Sequence, residues 1–420
     1  MNAGRQIRFY RKQKKMSQAI LADGICSIPY LSKIENGQVE ASQEIIDLLC
    51  QRLEIEIENT EEVYDHIYRE LNDWYRAIFN REGQKVFAQY HSLKEKVRST
   101  PLPIHLQLHF RMIEFKYYLY KVDLKTAEEC FHNLIPFKEF FTKELTFHFY
   151  NFSGLYHYFL GDYEKAKRDL LLAEKNADDS QIELWQKAYL FYLLGLVYSN
   201  LREVSMSIDY TMQALKKFDQ EYNYARSADC QVMLGICYLR INQFDKSETA
   251  FERAWKIADS FNSNKLKGVI RQNMGFLFSK QRIYSKGIEY YEQSLSYKQE
   301  DEIKSKLNTV FSIILNYYKL NDPANCQKWI KIGQDYNRRG QYKDYEFHFS
   351  IYEALVAQSS ESQLEEVLTE AIDYFVDQKS WKFAAEYAEK LAELLAKKFK
   401  YKLANQYYQL AANSYKQTSV

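Results

Sequence analysis

Four glycines, Gly154, Gly195, Gly235 and Gly275, stand 41, 40 and 40 residues apart. Three residues after each comes a ring: His157, Tyr198, Tyr238 and Phe278. Twelve residues after each comes a small residue, Ala166, Ser207, Ser247 or Gly287, and nineteen after comes another, Ala173, Ala214, Ala254 or Ser294. Between the two small positions stands Leu170, Phe251 or Tyr291, with Thr211 the exception. Small residues let two antiparallel helices approach closely, and the ring fills the space between one hairpin and the next. One such hairpin cannot bury its apolar face alone, so copies must stack. The register continues upstream through Phe115, Ala127 and Phe131, and downstream through Ile314, Cys326 and Ile330, then Ala392, Ala404, Tyr408 and Ala411. Weaker units centre on Trp74 and Ala354.

The spacing resembles the tetratricopeptide repeat, lengthened from its usual period of about 34 residues by most of a turn per helix. Composition agrees with an all-α chain. Only 13 of 420 residues are glycine and 5 are proline, against averages of roughly 7% and 5%. Aromatic residues make up 16%, enough to build a core and to exclude disorder. The expected fold is an N-terminal helix-turn-helix domain followed by a right-handed superhelix of about nine helical hairpins. The expected division is 1–57 for the head, 58–70 for a linker helix and 71–420 for the repeats.

The net charge of +1 carries no global nucleic-acid signal, but residues 1–37 alone carry +5. No apolar stretch approaches the ~18 residues of a membrane span, and the N-terminus lacks a signal core. The expectation is a cytoplasmic protein without membrane contact. The six cysteines are scattered, which suits small buried side chains in a reducing compartment. His105 and His109 are four apart but lie outside an HExxH arrangement, so no metal is expected. Phosphate loops, nucleophile elbows and kinase motifs are missing, so neither a cofactor nor an enzyme activity is expected.

The basic head reads as four short helices. GRQIRFYRKQKK (4–15) has a basic face, Ser17 can cap SQAILA (17–22), and Ser27 can cap SIPYLSKIENG (27–37), which ends at Gly37. SQEIIDLLCQRL (42–53) completes the set. SQAILADGICSIPYLSKIENG resembles the helix-turn-helix of phage-repressor-like regulators. With one residue fewer in the turn, and with repeats behind it, the chain is similar to the RNPP group of peptide-responsive regulators, and in repeat number to the NprR-like members. The resemblance places Ser17 and Gln18 at a phosphate or base contact, and Ser27, Ile28, Tyr30 and Lys33 on the surface that enters the major groove. Recognition helices reach base edges with their N-terminal residues. Lys33 and the bases of the first helix would meet phosphates.

The resemblance also implies that asparagines on the inner helices clasp the backbone of a signalling peptide, since an amide offers both a donor and an acceptor. Asn273 lies two residues before Gly275, and Asn308 six before Ile314. Asp229 holds that same offset of six before Gly235. These three are expected to face the groove. Arg226, Gln272, Lys280, Arg240 and Asn200 are rim candidates for a peptide carboxylate. The resemblance implies a homodimeric or higher-order transcription regulator. Its partners are a double-stranded DNA operator and a short secreted and re-imported peptide, in quorum sensing with links to extracellular proteases and sporulation. The alternative is a Rap-like effector that binds or dephosphorylates a response regulator, with Gln84 or Gln89 orienting water.

Overall fold

The computed structural model describes residues 3–55, 61–99, 102–178, 182–357 and 361–419. The head is α1 (Ala3–Gln13), α2 (Gln18–Ala22), α3 (Ile28–Glu35) and α4 (Gln43–Leu53). Its core gathers Ile7, Leu21, Leu31, Ile34, Leu49 and Leu53. Ser17 and Ser27 cap as the sequence predicts, their hydroxyls accepting from the N–H groups of Ile20 at 3.2 Å and Tyr30 at 3.3 Å. Gly4 lets α1 lie against α3, because a Cβ there would sit 1.9 Å from the Ile34 carbonyl oxygen.

The following helices pair, among the described residues, as nine antiparallel hairpins. Four join the head in a compact unit over 1–221: α5 (Glu61–Asn80) with α6 (Gly83–Ser99), α7 (Ile104–Tyr120) with α8 (Leu124–Leu134), α9 (Lys143–Phe159) with α10 (Tyr163–Lys175), and α11 (Leu184–Asn200) with α12 (Val204–Gln220). A short 3-10 turn over Ile135–Phe140 follows α8. Five form a second unit over 222–420: α13 (Tyr224–Arg240) with α14 (Phe244–Ser260), α15 (Asn264–Lys280) with α16 (Tyr284–Tyr297), α17 (Ile303–Lys319) with α18 (Pro323–Gly340), α19 (Lys343–Val356) with α20 (Glu361–Asp377), and α21 (Trp381–Lys397) with α22 (Tyr401–Ser419). The two weaker units are ordinary hairpins. Trp74 is fully buried and donates its indole N–H to the Val86 carbonyl at 3.1 Å, and Ala354 is buried in α19.

The repeat positions are contacts within one hairpin, and this includes the rings expected between hairpins: Tyr198 stacks on Tyr210, Phe278 stacks on Tyr290 and His157 bonds Asp169 of the paired helix. The residue sixteen after each glycine lies on it: a Cβ would meet Leu170 at 2.5 Å from Gly154, Thr211 at 2.4 Å from Gly195, Phe251 at 2.4 Å from Gly235 and Tyr291 at 2.6 Å from Gly275. The small residue twelve on closes the pair from behind, where Ser207 and Ser247 donate to the carbonyls of Gly195 and Gly235 at 2.7 and 2.8 Å. A Gly235→Ala change must push the Phe251 ring out of a filled core, and overpacking of this kind costs roughly 1–3 kcal/mol. The melting temperature of the variant is expected to fall; an unchanged melt would mean the helices part at no cost.

The turns are just as regular. Arg202, Tyr222, Asn242, Asn262 and Arg282 are left-handed, with φ of 62°, 53°, 58°, 49° and 64°. At the end of α13 the Gln243 N–H bonds the Tyr238 carbonyl at 2.9 Å and the Asn242 N–H bonds Leu239 at 3.2 Å, which is a Schellman closure.

The expected linker helix over 58–70 is not a separate element. Residues 56–60 lie outside the described ones, and from Glu61 the chain runs as one helix to Asn80. From Ile67 onward, Leu71, Trp74 and Ile78 are all buried, so the repeat core claims the helix before residue 70.

Candidate DNA-reading helix and peptide cleft

The head is organised around a buried carboxylate. Glu35, 3% exposed, ends α3 and receives Arg11 in a fork, Nε to Oε1 at 2.5 Å and Nη2 to Oε2 at 2.8 Å. Gln18 donates its amide nitrogen to the same Oε2 at 2.8 Å, and Arg11 Nη1 reaches the Met16 carbonyl at 2.9 Å. One acid thus ties α1, α2 and α3 together. Arg52 donates to the carbonyls of Leu21 and Asp23, closing the end of α2.

This frame leaves Ser17, Ser27 and Lys33 exposed and Ile28 48% exposed, while Tyr30 is half-buried against the head core. Gln18 is half-buried, and its amide nitrogen donates to Glu35. Sequence reasoning passed over Ile20, 58% exposed on α2. Its position beside the cap Ser17 was the available signal.

The other side of α1 faces the repeats rather than solvent. Phe9 is fully buried, with its ring 5.2 Å from Phe137 and 5.4 Å from Phe140. Around it Arg8 pairs with Glu139 at 2.7 Å, Lys12 pairs with the same carboxylate, and Arg5 donates to the Glu139 carbonyl at 2.8 Å. Tyr10 donates to the Leu102 carbonyl at 3.1 Å. Of the first-helix bases expected on phosphates, Arg5, Arg8 and Lys12 are therefore held by the 3-10 turn, while Arg11 is held by Glu35 and Lys14 by Glu54.

In the second unit, Gln272 and Asn273 from α15 and Asn308 from α17 line one cleft of about 140 Å³, with Val269, Tyr297, Lys298, Glu302 and Ser305. Asn273 donates to the Val269 carbonyl of its own helix at 2.9 Å. Asn308 is exposed, and its amide has no partner among the described residues. Gln272 accepts from Thr309 Oγ1 at 2.6 Å and from Lys298 Nζ at 3.4 Å. Val269 and Phe276, four before and three after Asn273, are 43% and 51% exposed. They put apolar surface on both sides of the amide, and their helical spacing from Asn273 was the signal that sequence reasoning missed.

The other expected residues are not among those that line this cleft. Arg226 is not a rim residue: it is 7% exposed and pairs with Asp229, one turn on, at 3.2 Å. Asp229 is half-buried and shares that ion pair instead of facing the groove alone. Arg240 is exposed at the end of α13. Lys280, exposed at the end of α15, donates to the Leu239 carbonyl at 3.1 Å. Asn200 belongs to the first unit, where it donates to the Leu196 carbonyl at 2.9 Å.

The Helix-turn-helix family matches residues 7–58. Across most of its length the chain is similar to Transcriptional activator NprA of Geobacillus stearothermophilus, 33% identical over 400 residues, with 93% of this chain and 98% of that protein covered. The chain belongs to the RNPP family of regulators. Among solved structures, the apo form of the quorum sensor NprR from B. thuringiensis matches with a TM-score of 0.72 at 20% identity, covering 84% of this chain and 99% of that one. NprR in complex with its cognate peptide NprX matches at 0.59 and 20%, covering 85% and 99%. Both carry the same fold. A more distant relative is Response regulator aspartate phosphatase I of Bacillus subtilis (strain 168), 21% identical over 356 residues, covering 83% of this chain and 90% of that protein. Among the described residues no helix is long and apolar enough to cross a membrane.

Proposed function

We propose that this RNPP regulator reads an operator through α2 and α3 and is controlled by a short signalling peptide held in the cleft between α15 and α17. The observation that carries the reading is the convergence of Gln272, Asn273 and Asn308 on one cleft that exposed Val269 also lines. Amide side chains beside apolar surface suit an extended peptide, whose backbone needs donors and acceptors while its side chains need apolar contact. On the DNA side, Ser17, Ser27, Ile28 and Lys33 form the exposed surface, with Tyr30 bracing it and Gln18 fixing α2. The protein acts in the cytoplasm as a regulator rather than a catalyst. It works as a homodimer, since paired heads read half-sites about one helical turn apart. NprX in NprR sets the precedent for the ligand class.

The test is thermal melting with overlapping short synthetic peptides that tile any small secreted pro-peptide encoded in the neighbourhood of the gene. A ligand at 100 times its dissociation constant adds about 2.7 kcal/mol to the folded state. The expected result is a rise in melting temperature that Asn273→Ala abolishes. No rise with any peptide would sink the reading.

A second reading, binding of a response regulator, draws on the similarity to the aspartate phosphatase and on Phe87, 55% exposed on α6 near Gln84. Gln89, the other candidate, has its side-chain oxygen buried without a partner. Loss of phosphate from a phosphorylated response regulator incubated with the protein would favour it.

A further inference from the structure

Lys298 follows α16 and lines the peptide cleft. Its ammonium group has three acceptors, all of them neutral: the Ser305 carbonyl at 2.8 Å, Gln272 Oε1 at 3.4 Å and Thr309 Oγ1. Among the described residues no carboxylate lies within ion-pair distance of it. Two other lysines set deep in the same hairpins are treated differently. Lys267 pairs with Asp259 at 2.7 Å and Lys306 with Glu300 at 3.1 Å. Burial pushes the Lys298 amine down to about 8, with Glu302 only partly opposing it. A half-buried charge that no carboxylate pairs directly is unfavourable, and here it faces an open cleft, which Glu302 also lines, rather than a sealed core.

We propose that Lys298 is the seat of a peptide carboxylate, so that the protein takes peptides presenting an acidic group to the floor of the α15–α17 cleft. The inference rests on the proposed peptide groove. Gln272, Thr309 and Ser305 hold the ammonium in place before the ligand arrives, and preorganisation of this kind lowers the ordering cost of binding. Asn273 and Asn308 then take the adjoining backbone, and Val269 meets the neighbouring apolar side chain. The carboxylate comes either from the C-terminus or from an Asp or Glu side chain.

The experiment uses the full-length protein and whichever tiled peptide gives the largest melting shift, titrated by calorimetry. Three versions are compared: the parent, its C-terminal amide, and the parent with Asp and Glu changed to Asn and Gln. Truncating one partner of a desolvated charge pair costs 2–5 kcal/mol, so about a 30-fold or greater loss of affinity is expected for whichever version lacks the seated carboxylate. Loss with the amide alone identifies the C-terminus, and loss with the Asn/Gln version identifies a side chain. Lys298→Met should weaken the parent by a similar factor and should bind the carboxylate-free version no more weakly than the parent. Equal binding of all three versions to the wild type would overturn the carboxylate seat and leave the groove standing, whether or not the variant folds. Equal binding of the parent by a folded Lys298→Met would do the same. Absence of binding by every tiled peptide would overturn both.

Discussion

Replacement of Arg11 by methionine should unfold the head and abolish operator binding, because it strands the Glu35 carboxylate in the core with Gln18 as its remaining side-chain donor. Breaking a buried pair by removing one partner costs about 3–5 kcal/mol. That is comparable to the whole stability of a domain of this size, since roughly 0.05–0.15 kcal/mol per residue is usual. The loss should be local. The proposed groove lies within residues 222–420, so peptide-induced melting shifts should persist in the variant. Replacing both partners, Arg11→Met with Glu35→Leu, should recover part of the loss, because an apolar pair leaves no stranded charge. Operator affinity is the readout, and wild-type affinity in the single variant would show that the fork does not hold the head.

Phe9→Ala should release the head from its seat without unfolding it. Phe9 is fully buried but packs against Phe137 and Phe140, outside the cluster of Ile7, Leu21, Leu31 and Leu49 that forms the head's own core. Truncation of a buried Phe costs about 3–5 kcal/mol, and here the loss falls on the docking contact. Two consequences are measurable. Amide exchange at residues 135–140 should accelerate, since the ring that covers the 3-10 turn is gone. Arg5, Arg8 and Lys12 should also become available to phosphates. Each added phosphate contact steepens the logarithmic salt dependence of duplex DNA binding by about 0.9, so the slope should steepen by up to about 3. Unchanged exchange and an unchanged slope together would mean that the seat does not hold in solution.

The hairpins were legible because each repeat position is answered within its own forty residues. Gly235 needs Phe251 and Ser247, both within sixteen residues along the chain, and a periodic pattern records such local pairs. The placement of Asn273 and Asn308 on first helices of hairpins was legible for the same reason, and both line one cleft. Arg226 was misread because its offset places it on the right helix without revealing that Asp229, one turn away, draws it into an ion pair. The seat of α1 on Glu139 joins residues more than 125 apart in sequence and leaves no periodic trace. Lys298 escaped for another reason: it lies just past the end of a second helix, where repeat counting expects only a turn.

The left-handed turns bear on how such a chain acquires its length. Arg202, Tyr222, Asn242, Asn262 and Arg282 give the junction inside a hairpin and the junction between hairpins the same backbone geometry. A stretch of DNA duplicated from one such turn to the corresponding turn two helices later therefore inserts a complete hairpin whose two ends already match their neighbours. The array can gain or lose a repeat by ordinary copying errors, without a new joint having to evolve first.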